Sequence, residues 1–417
     1  MRVLWIKTSP LHPLTRGGDL RTFNILKQLH RRHEVTFVGM IADKEQELGS
    51  RESDQYSSQA VWVRESKTSL KLSRLRFMAG AAVNILSTLP YAVSRFRSST
   101  LHESLAKLLK TKKFDVLICD FLFPAASLPW ELKAGCGFPW VLFQHNVESM
   151  IWARRCSEMR GVSGIYFRSQ WRRMLKFETT ASLRFDAVLV VSEEDERIFQ
   201  EQLLLPNLVG SVPTGVDLEF FQTTPRMLTI RPTVMFMGSM DWYANVDAVT
   251  WFVGSIWHLV RSRVPESRFV IVGRQPPPAI RDLSSESEGI EVTGTVPDVR
   301  PFLRSAHAMV VPLRIGGGTR LKIFEAMAAE VPVVSTTIGA EGLPVVHGKH
   351  ILIGDDAESI ADAVVSLLCE PKFGLQLAQA ALAEIATPNS WDAAAQTMER
   401  LLAPILNQEA VSAQQSV

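Results

Sequence analysis

Strand-like and helix-like segments alternate along nearly the whole of this chain. A β-rich run at Arg2–Lys7 is followed by a Pro/Gly loop, by helical periodicity over Leu20–Arg31 and by a strand-like run at Glu34–Gly39. Alternation of this kind is typical of parallel sheets covered by helices. Further strands are predicted at Asp115–Cys119, Trp140–Phe143 and Ala187–Val191. The sequence therefore predicts an α/β protein.

The same pattern starts again around Leu208–Asp217. The second series of predicted strands comprises Val234–Met237, Arg268–Val272, Ile290–Val292, Ala308–Val311 and Pro332–Ser335. A chain of 417 residues is too long for one ordinary core, and two α/β units fit typical domain sizes better than one very large sheet. We predict a first domain over 1–210, a second over 211–388, a helix over 389–406 that could pack back on the first domain, and a disordered tail over 407–417.

Two doubly wound domains imply a cleft, and ligands of such folds bind beyond the carboxyl ends of the strands. The loops that follow predicted strands should therefore carry the functional residues. These loops contain Gly17–Gly18, His145–Glu148, Gly238–Asp241, Gly273–Arg274 and Gly316–Gly318.

Three consecutive glycines, Gly316–Gly318, follow a buried strand, and a helix with Arg320 and Lys322 in its first turn comes next. Each cation there opposes the helix dipole at a cost of about 0.3–1 kcal/mol, so two of them indicate a bound anion. A glycine loop at a helix N-terminus is a ready phosphate site. Glu325, one turn further on, could accept hydrogen bonds from the vicinal hydroxyls of a ribose. The alternative is a flexible turn before an amphipathic helix in which Lys322 pairs with Glu325.

Several other classes of function are disfavoured. The segment GGGTRLK lacks the Gly-Lys-Ser/Thr of a P-loop, and no G-x-G-x-x-G follows the first strand as a dehydrogenase would require. With 45 basic and 43 acidic residues the net charge is only +2, and no nucleic-acid fold signature accompanies the basic clusters. We therefore expect no nucleic-acid partner.

The cysteines and the termini indicate the compartment. Four scattered cysteines lack the spacing of metal ligands and are read as small buried hydrophobes in a reducing compartment: Cys119, Cys136, Cys156 and Cys369. The N-terminus enters a strand directly and does not read as a signal peptide, and no run of about 18 apolar residues could span a membrane. The sequence predicts a cytoplasmic protein.

Three segments resemble the C-terminal domain of family 4 glycosyltransferases: PLRIGGGTRLKIFEAMAAEVPVVST, VPTGVDLEFF and VTGTVPDVRPFL. FQHNVES and the Gly17–Gly18 loop extend the resemblance to the N-terminal part. The resemblance implies the GT-B fold, which is α/β with two Rossmann-like domains facing a cleft. It also implies transfer of a sugar from a nucleotide diphosphate-sugar donor, usually with retention at the anomeric carbon, with no metal and no other cofactor.

The resemblance also implies roles for individual residues. Catalytic roles fall on His145, Lys322 and Arg320. Donor-binding roles fall on Gly17, Gly18, Gly238, Gly273, Arg274, Gly317, Gly318, Thr319 and Glu325. In the family, a histidine placed like His145 lines the donor sugar, although a lone histidine is on general grounds more often structural.

The chain departs from the family in two places. The family pattern has two glutamates eight positions apart; Glu325 matches the second, and Gly317 stands where the first would be. The loop after the first C-terminal strand, Gly238–Ala248, has no Arg or Lys, so neutralisation of the diphosphate must rest on Arg320 and Lys322, with Arg274 as a helper. These departures resemble a subgroup associated with exopolysaccharide assembly.

Some polar residues allow a second interpretation. Gly17–Gly18 fits a simple turn as well as a loop that lets backbone approach the donor, and Arg21 in the following turn again hints at an anion. Glu148 fits an acid at a helix N-terminus. Asn245 is a candidate helix cap, and one of Ser239, Asp241 and Trp242 could contact the donor.

A basic and apolar stretch runs from Lys67 to Arg97, and a second basic cluster lies within residues 154–176. One interpretation is a solvated helix followed by a buried one. The other is docking on an anionic membrane, at the inner face, where the enzyme would reach a lipid-linked acceptor.

Two rival functions remain open. A nucleotide-sugar epimerase has the same architecture but needs no acceptor. A non-catalytic GT-B protein, motivated by Gly317, would bind nucleotide without turnover of a donor. The acceptor for the transferase is expected to be a saccharide or a lipid-linked saccharide.

Overall fold

The structure is a computed structural model that describes residues 1–14, 17–41, 47, 49–64, 84, 87–223, 227–315, 320–386 and 390–415. The chain divides into two compact units. The first comprises Met1–Pro213 together with Ala394–Val417, and the second comprises Thr214–Ala393. Each unit has its own sheet and its own core of buried apolar side chains.

The first unit is built on a seven-stranded parallel sheet of order β3-β2-β1-β4-β5-β6-β7. Its strands are β1 (Arg2–Ile6), β2 (Glu34–Ile41), β3 (Gln59–Arg64), β4 (Val116–Asp120), β5 (Trp140–Phe143), β6 (Ala187–Val190) and β7 (Leu208–Ser211). The central strands read as continuous apolar runs, because a parallel sheet is covered by helices on both faces.

The helices of the first unit connect these strands. They are α1 (Gly17–His30), α2 (Tyr91–Ser94), α3 (Ser99–Thr111), α4 (Glu148–Glu158), α5 (Gly161–Ser182) and α6 (Glu193–Glu201). Short 3-10 turns lie at Ser50–Gln55, Phe123–Ser127 and Trp130–Gly135.

The second unit is built on a six-stranded parallel sheet of order β10-β9-β8-β11-β12-β13. Its strands are β8 (Thr233–Met237), β9 (Arg268–Val272), β10 (Ile290–Gly294), β11 (Ala308–Val311), β12 (Val333–Ser335) and β13 (Leu352–Ile353).

Its helices are α7 (Leu218–Gln222), α8 (Tyr243–Trp251), α9 (Trp257–Arg263), α10 (Pro278–Arg281), α11 (Arg300–Ser305), α12 (Leu321–Ala328), α13 (Ala357–Cys369) and α14 (Pro371–Ala386). A π-helical turn, Phe252–Ile256, joins α8 to α9. The last helix, α15 (Trp391–Gln415), begins at the end of the second unit and continues in the first, where Glu399 pairs with Arg32 and His33.

The predicted α/β class with two doubly wound units is confirmed, and the structure adds elements that the sequence pattern did not reveal. β3 is a half-buried edge strand, β7 contains Gly210, and β13 has only two residues, so none has a strong apolar run. The structure also continues the final helix to Gln415, where the sequence predicted a disordered tail from Asn407. That segment contains no Pro or Gly, and its Ala, Gln and Glu residues favour helix.

The cysteines are all free, but their burial varies. Cys119 is buried as predicted, Cys136 and Cys156 are half-buried, and Cys369 is exposed at the last position of α13. The expectation of small buried hydrophobes therefore fails for Cys369, since the helix turns this position outward to solvent.

Candidate functional site

In the second unit, β8 and β11 are neighbours, and the following strands of the chain are added outward on opposite sides of this pair. A doubly wound sheet binds its ligands beyond the carboxyl ends of the strands at such a switch point. β8 runs into Gly238–Asp241, and β11 leads through residues 312–315 towards α12. Three predicted donor-binding residues of that connection, Gly317, Gly318 and Thr319, lie outside the described residues.

Lys322, the second residue of α12, reaches the loop that follows β8. Its Nζ atom donates a hydrogen bond to Asn245 Oδ1 at 2.8 Å and lies 4.4 Å from the centre of the Phe236 ring. Asn245 donates in turn from Nδ2 to the backbone oxygen of Ser239 at 2.7 Å. Asn245 therefore lies inside α8 as a link between Lys322 and the loop, and Trp242 occupies the helix cap that the sequence suggested for Asn245.

Gly238 and Gly273 lie where these parts approach one another most closely. A Cβ atom at Gly238 would stand 2.8 Å from Lys322 Nζ and 2.8 Å from Asn245 Nδ2. A Cβ atom at Gly273 would stand 2.8 Å from the Cε atom of Met240. A Cβ atom at Gly273 would also stand 2.4 Å from the backbone oxygen of Gly238, which cannot turn aside as a side-chain end can, so Gly273 leaves no room for a side chain. At Gly238 the nearest atoms are side-chain ends, so a Cβ atom there would displace Lys322 and Asn245.

The loop after β8 has no basic residue of its own, but the structure brings one to it from the next strand. Arg274 follows β9, and its Nη2 donates to Asp241 Oδ2 at 2.9 Å and to Ser239 Oγ at 3.2 Å. Lys322, Asn245, Ser239, Asp241 and Arg274 thus form one hydrogen-bonded series at the carboxyl edge of the sheet.

Arg320 has a different place from the one predicted. It is the N-cap residue of α12 and precedes the first turn. Its side chain is buried, with Nη2 donating to the backbone oxygen of Ile338 at 3.1 Å and lying 3.8 Å from Glu341 Oε2. Arg320 therefore ties the start of α12 to the segment after β12.

Lys322 and Glu325 lie in a position largely shielded from solvent, and the charge of each affects the pKa of the other. Burial lowers the pKa of Lys322 to about 7, and the nearby charge of Arg320 adds to this effect, while Glu325 opposes it. Burial raises the pKa of Glu325 to about 7, and Lys322 opposes that shift. The Glu325 carboxyl makes no side-chain hydrogen bond or ion pair within the part of the chain that is described. A ligand that interacts with the charged forms of Lys322 and Glu325 would therefore shift both groups towards those forms.

The first unit has its switch point between β1 and β4, and a buried ion pair lies there. Lys7, directly after β1, places Nζ 3.1 Å from Oδ2 of Asp120, the last residue of β4. Trp5 Nε1 and Thr22 Oγ1 also donate to this oxygen, at 3.1 and 2.7 Å. Burial opposes ionisation of Asp120, but Lys7 and the hydrogen-bond donors outweigh it and hold the Asp120 pKa below its ordinary value.

His145, two residues after β5, contacts the same carboxyl group. Its Nε2 lies 2.7 Å from Asp120 Oδ1. Burial lowers the pKa of His145 to about 4 despite Asp120, so the imidazole is neutral at pH 7. An ionised carboxylate beside Nε2 favours the tautomer with its proton there. In that tautomer His145 Nδ1 carries a lone pair. Within the described ranges neither ring nitrogen has a partner in hydrogen-bond geometry, so Asp120 acts on Nε2 through its charge at 2.7 Å.

An aromatic ring fixes the plane of His145. Phe121 stacks on the imidazole with ring centres 4.0 Å apart, and Lys7 Nζ lies 4.2 Å from the centre of the Phe121 ring. Phe121 has a positive φ of 71°, which is unusual for a bulky residue and costs free energy. Gly18 accommodates the ring, because a Cβ atom there would stand 2.6 Å from Phe121 Cζ.

The Gly17–Gly18 loop and Arg21 differ from the expectation. α1 begins at Gly17, so Arg21 lies in the second turn, where it is buried. Burial lowers the Arg21 pKa to about 10, and the carboxylates of Asp195 and Asp120 oppose this shift. Two carboxylates of the protein therefore lie close enough to Arg21 to favour its charged form.

A second buried acid supports the segment that carries His145. Glu178 of α5 accepts hydrogen bonds from the backbone nitrogens of Glu148 and Ser149, at 2.8 and 2.9 Å. Burial raises the pKa of Glu178 to about 7, and burial together with Glu178 raises that of Glu148 to about 8. Glu148 is the first residue of α4, in agreement with its interpretation as a helix N-terminal acid.

Sequence reasoning missed Lys7, Asp120 and Glu178. A signal for the first two was available, since both are charged residues at the carboxyl end of an apolar strand, as His145 nearly is. Glu178 lies near the C-terminal end of a long helix, and only the fold shows that its side chain turns inward.

The basic clusters are partly described. Most of the Lys67–Arg97 segment, including Lys67, Lys71, Arg74 and Arg76, lies outside the described residues. On α5, three exposed cations share one helix face with the exposed Ile165: Arg168, Arg172 and Lys176. None of the three has an acidic partner among the residues that the structure describes.

The described residues contain neither a candidate metal site nor a candidate membrane span. No group of three or more His, Cys, Asp and Glu side chains there is arranged to hold a metal ion. None of the helices found in those residues combines the length and apolarity needed to cross a membrane.

Two sequence families match the chain. Residues 15–220 match the family described as Glycosyltransferase Family 4, and residues 231–370 match the family described as Glycosyl transferases group 1. A Klebsiella pneumoniae protein, described as an uncharacterized 44.6 kDa protein in the cps region, is 21% identical over 378 residues, which cover 88% of this chain and 90% of that protein.

Solved structures share the fold. Sucrose-phosphate synthase from Thermosynechococcus elongatus is 16% identical, with a TM-score of 0.73 over 98% of this chain and 100% of that one. Anabaena HepE in complex with UDP is 13% identical, with a TM-score of 0.67 over 97% and 100% of the two chains. TarM is 12% identical, with a TM-score of 0.70 over 96% and 98%. The fold is that of the GT-B glycosyltransferases.

Proposed function

We propose that this chain is a family 4 glycosyltransferase and that it transfers a sugar from a nucleotide diphosphate-sugar donor to a saccharide or lipid-linked saccharide acceptor. The observation that carries the proposal is the series from Lys322 through Asn245 and Ser239 to Arg274 at the switch point of the second unit. Two cations flank the loop where a phosphorylated ligand of such a fold binds.

The series fits the parts of a nucleotide-sugar. Lys322 and Arg274 neutralise the diphosphate, and the carboxyl group of Glu325, one turn along α12, accepts hydrogen bonds from the ribose hydroxyls. Arg320 contributes by fixing the start of α12. HepE, which shares the fold, has been solved with UDP and with UDP-glucose, in support of this kind of donor.

Roles in the first unit follow from His145. In this proposal its neutral imidazole offers Nδ1 to the donor sugar, while Asp120 and Phe121 hold the ring in one tautomer and one plane. In this proposal the reaction retains configuration at the anomeric carbon. It needs no metal, because Lys322 and Arg274 stabilise the leaving diphosphate. Anomeric analysis of the product by NMR, with chelator present, tests both statements.

The relative in a cps region supports a role in exopolysaccharide or other cell-surface glycan synthesis. In that role, the acceptor used by this chain is a growing saccharide that is linked to lipid at the inner face of the membrane. The basic face of α5 contacts anionic lipid there, since each Lys or Arg near such a surface contributes about 1 kcal/mol.

A vesicle experiment tests this contact. Changing Arg168, Arg172 and Lys176 to Glu should lower binding to vesicles of anionic phospholipid more than tenfold, whereas the same change at Lys107, Lys110 and Lys113, exposed on or just after α3, should have little effect. Equal losses in both triple variants would show that only net charge matters and would contradict a specific α5 contact.

Product analysis tests the activity itself. The protein is incubated with UDP-, GDP- and ADP-sugars, with and without lipid-linked oligosaccharide extracted from membranes. We expect release of nucleoside diphosphate that depends on the acceptor. Conversion of the donor sugar without acceptor would identify an epimerase, and binding without either product would identify a non-catalytic protein.

A further inference from the structure

Asp241 is an acid placed where the proposed ligand is itself an anion. It follows β8 in the loop that Lys322 contacts through Asn245, at the carboxyl edge of the second sheet. Its carboxylate is held by Ser239 Oγ, 2.6 Å from Oδ1, and by Arg274 Nη2, 2.9 Å from Oδ2, among other contacts. The side chain is still 34% exposed at the strand end.

Stability alone gives little reason for this arrangement. A partly exposed ion pair contributes about 0–1 kcal/mol, and Asp241 offsets a positive charge of Arg274 that a diphosphate would otherwise use fully. The presence of an acid that weakens a phosphate site would be explained if a second part of the ligand needed a strong hydrogen-bond acceptor. Hydroxyl groups are such a part, since an ionised carboxylate can accept several hydrogen bonds at once.

The residues that follow Asp241 also suit a sugar. Trp242 and Tyr243 are among the large apolar side chains that remain exposed, at 38% and 47%. A pyranose ring presents hydroxyl donors at its edge and C–H groups on its faces, and aromatic side chains provide an apolar surface for those faces. An exposed acid beside two exposed aromatic rings therefore matches both surfaces of a sugar.

We propose that Asp241 is a specificity-determining residue that accepts hydrogen bonds from hydroxyl groups of the donor sugar. Arg274 and Ser239 orient its carboxylate, and Arg274 also faces the diphosphate. This inference rests on the proposed function, because it requires a nucleotide-sugar in the second unit. Asp241 would also provide the donor sugar with a carboxylate from the loop after β8. The sequence has Gly317 where the family pattern has a glutamate for that sugar.

Titration calorimetry of the full chain tests the inference. The donor probe is whichever UDP-, GDP- or ADP-hexose binds the wild type most tightly, and the second probe is the matching nucleoside diphosphate. Asp241→Asn should weaken binding of the nucleotide-sugar about tenfold or more, as loss of hydrogen bonds to a charged group predicts. The same variant should bind the nucleoside diphosphate as well as the wild type or more tightly.

Asp362→Asn is the matched control, because Asp362 pairs with Arg263 in another exposed Asp–Arg pair of the same unit. It should change neither binding constant. An Asp241→Asn variant whose two binding constants fall in parallel, or whose nucleotide-sugar binding is unchanged, overturns the inference and leaves the proposed function standing. A wild type that binds no member of the panel overturns the proposed function as well.

Discussion

Lys322 Nζ donates a hydrogen bond of 2.8 Å to Asn245 Oδ1, and the two residues are 77 positions apart in the sequence. This bond joins the start of α12 to α8 across the carboxyl ends of β8 and β11. It places a lysine of unusually low pKa at the point where the fold binds its ligands.

The pH dependence of nucleotide binding should follow Lys322. A bound diphosphate favours the protonated lysine, so binding above pH 7 takes up a proton and affinity falls as the pH rises from 7 to 9. The phosphates are largely ionised throughout this range. Calorimetry in buffers of different ionisation enthalpy should detect the uptake. Its persistence in Lys322→Met would assign the proton to another group.

Gly238→Ala should weaken nucleotide binding, because the new Cβ atom would stand 2.8 Å from Lys322 Nζ and displace it. The matched control is Gly254→Ala in the π-helical turn, where nothing lies within 4 Å of a Cβ atom. The control should bind normally and retain or slightly gain stability, by about 0.4–1 kcal/mol. Normal binding by Gly238→Ala would refute the tight packing around Lys322.

Asp120→Asn should destabilise the first unit by about 1.5–3 kcal/mol, because Lys7 would lose its nearer counter-ion and keep Asp19, whose Oδ1 lies 3.5 Å from Nζ. Asp115→Asn is the control: Asp115 pairs with Arg2 at the surface, and its loss should cost less than about 1 kcal/mol. Urea denaturation of both variants measures the difference. Similar small losses would mean that Asp120 does not hold Lys7 and His145 together.

Glu148→Gln should stabilise the first unit at pH 8 but not at pH 5. The folded-state pKa of Glu148 is raised to about 8, so between its ordinary value and pH 8 the folded protein binds more protons than the unfolded chain. Stability then falls as the pH rises through this window. We expect a gain of about 1–2 kcal/mol at pH 8, measured by thermal denaturation. A gain that is equal at both pH values would contradict the titration of Glu148.

The strands that could be predicted were those buried on both faces, such as Trp140–Phe143 and Ala308–Val311, because their apolar runs are continuous. Edge strands such as β3 lack that pattern. At the site, the chain order pointed to His145, Lys322 and Glu325. It could not show that Arg274 contacts the loop after β8, or that Asp120 lies beside His145. These contacts join residues that follow different strands, so they depend on the strand order in the folded sheets.

The most direct test of the account is calorimetric titration of wild type and Lys322→Met with UDP, GDP and ADP at pH 7. Lys349→Met, an exposed lysine of the same unit, is the control. Loss of a hydrogen bond to a charged group costs about 1.5–3 kcal/mol, so one diphosphate should bind the wild type and the control at least about tenfold more tightly than Lys322→Met. Equal binding by all three proteins, with Lys322→Met correctly folded, would contradict the nucleotide site at α12.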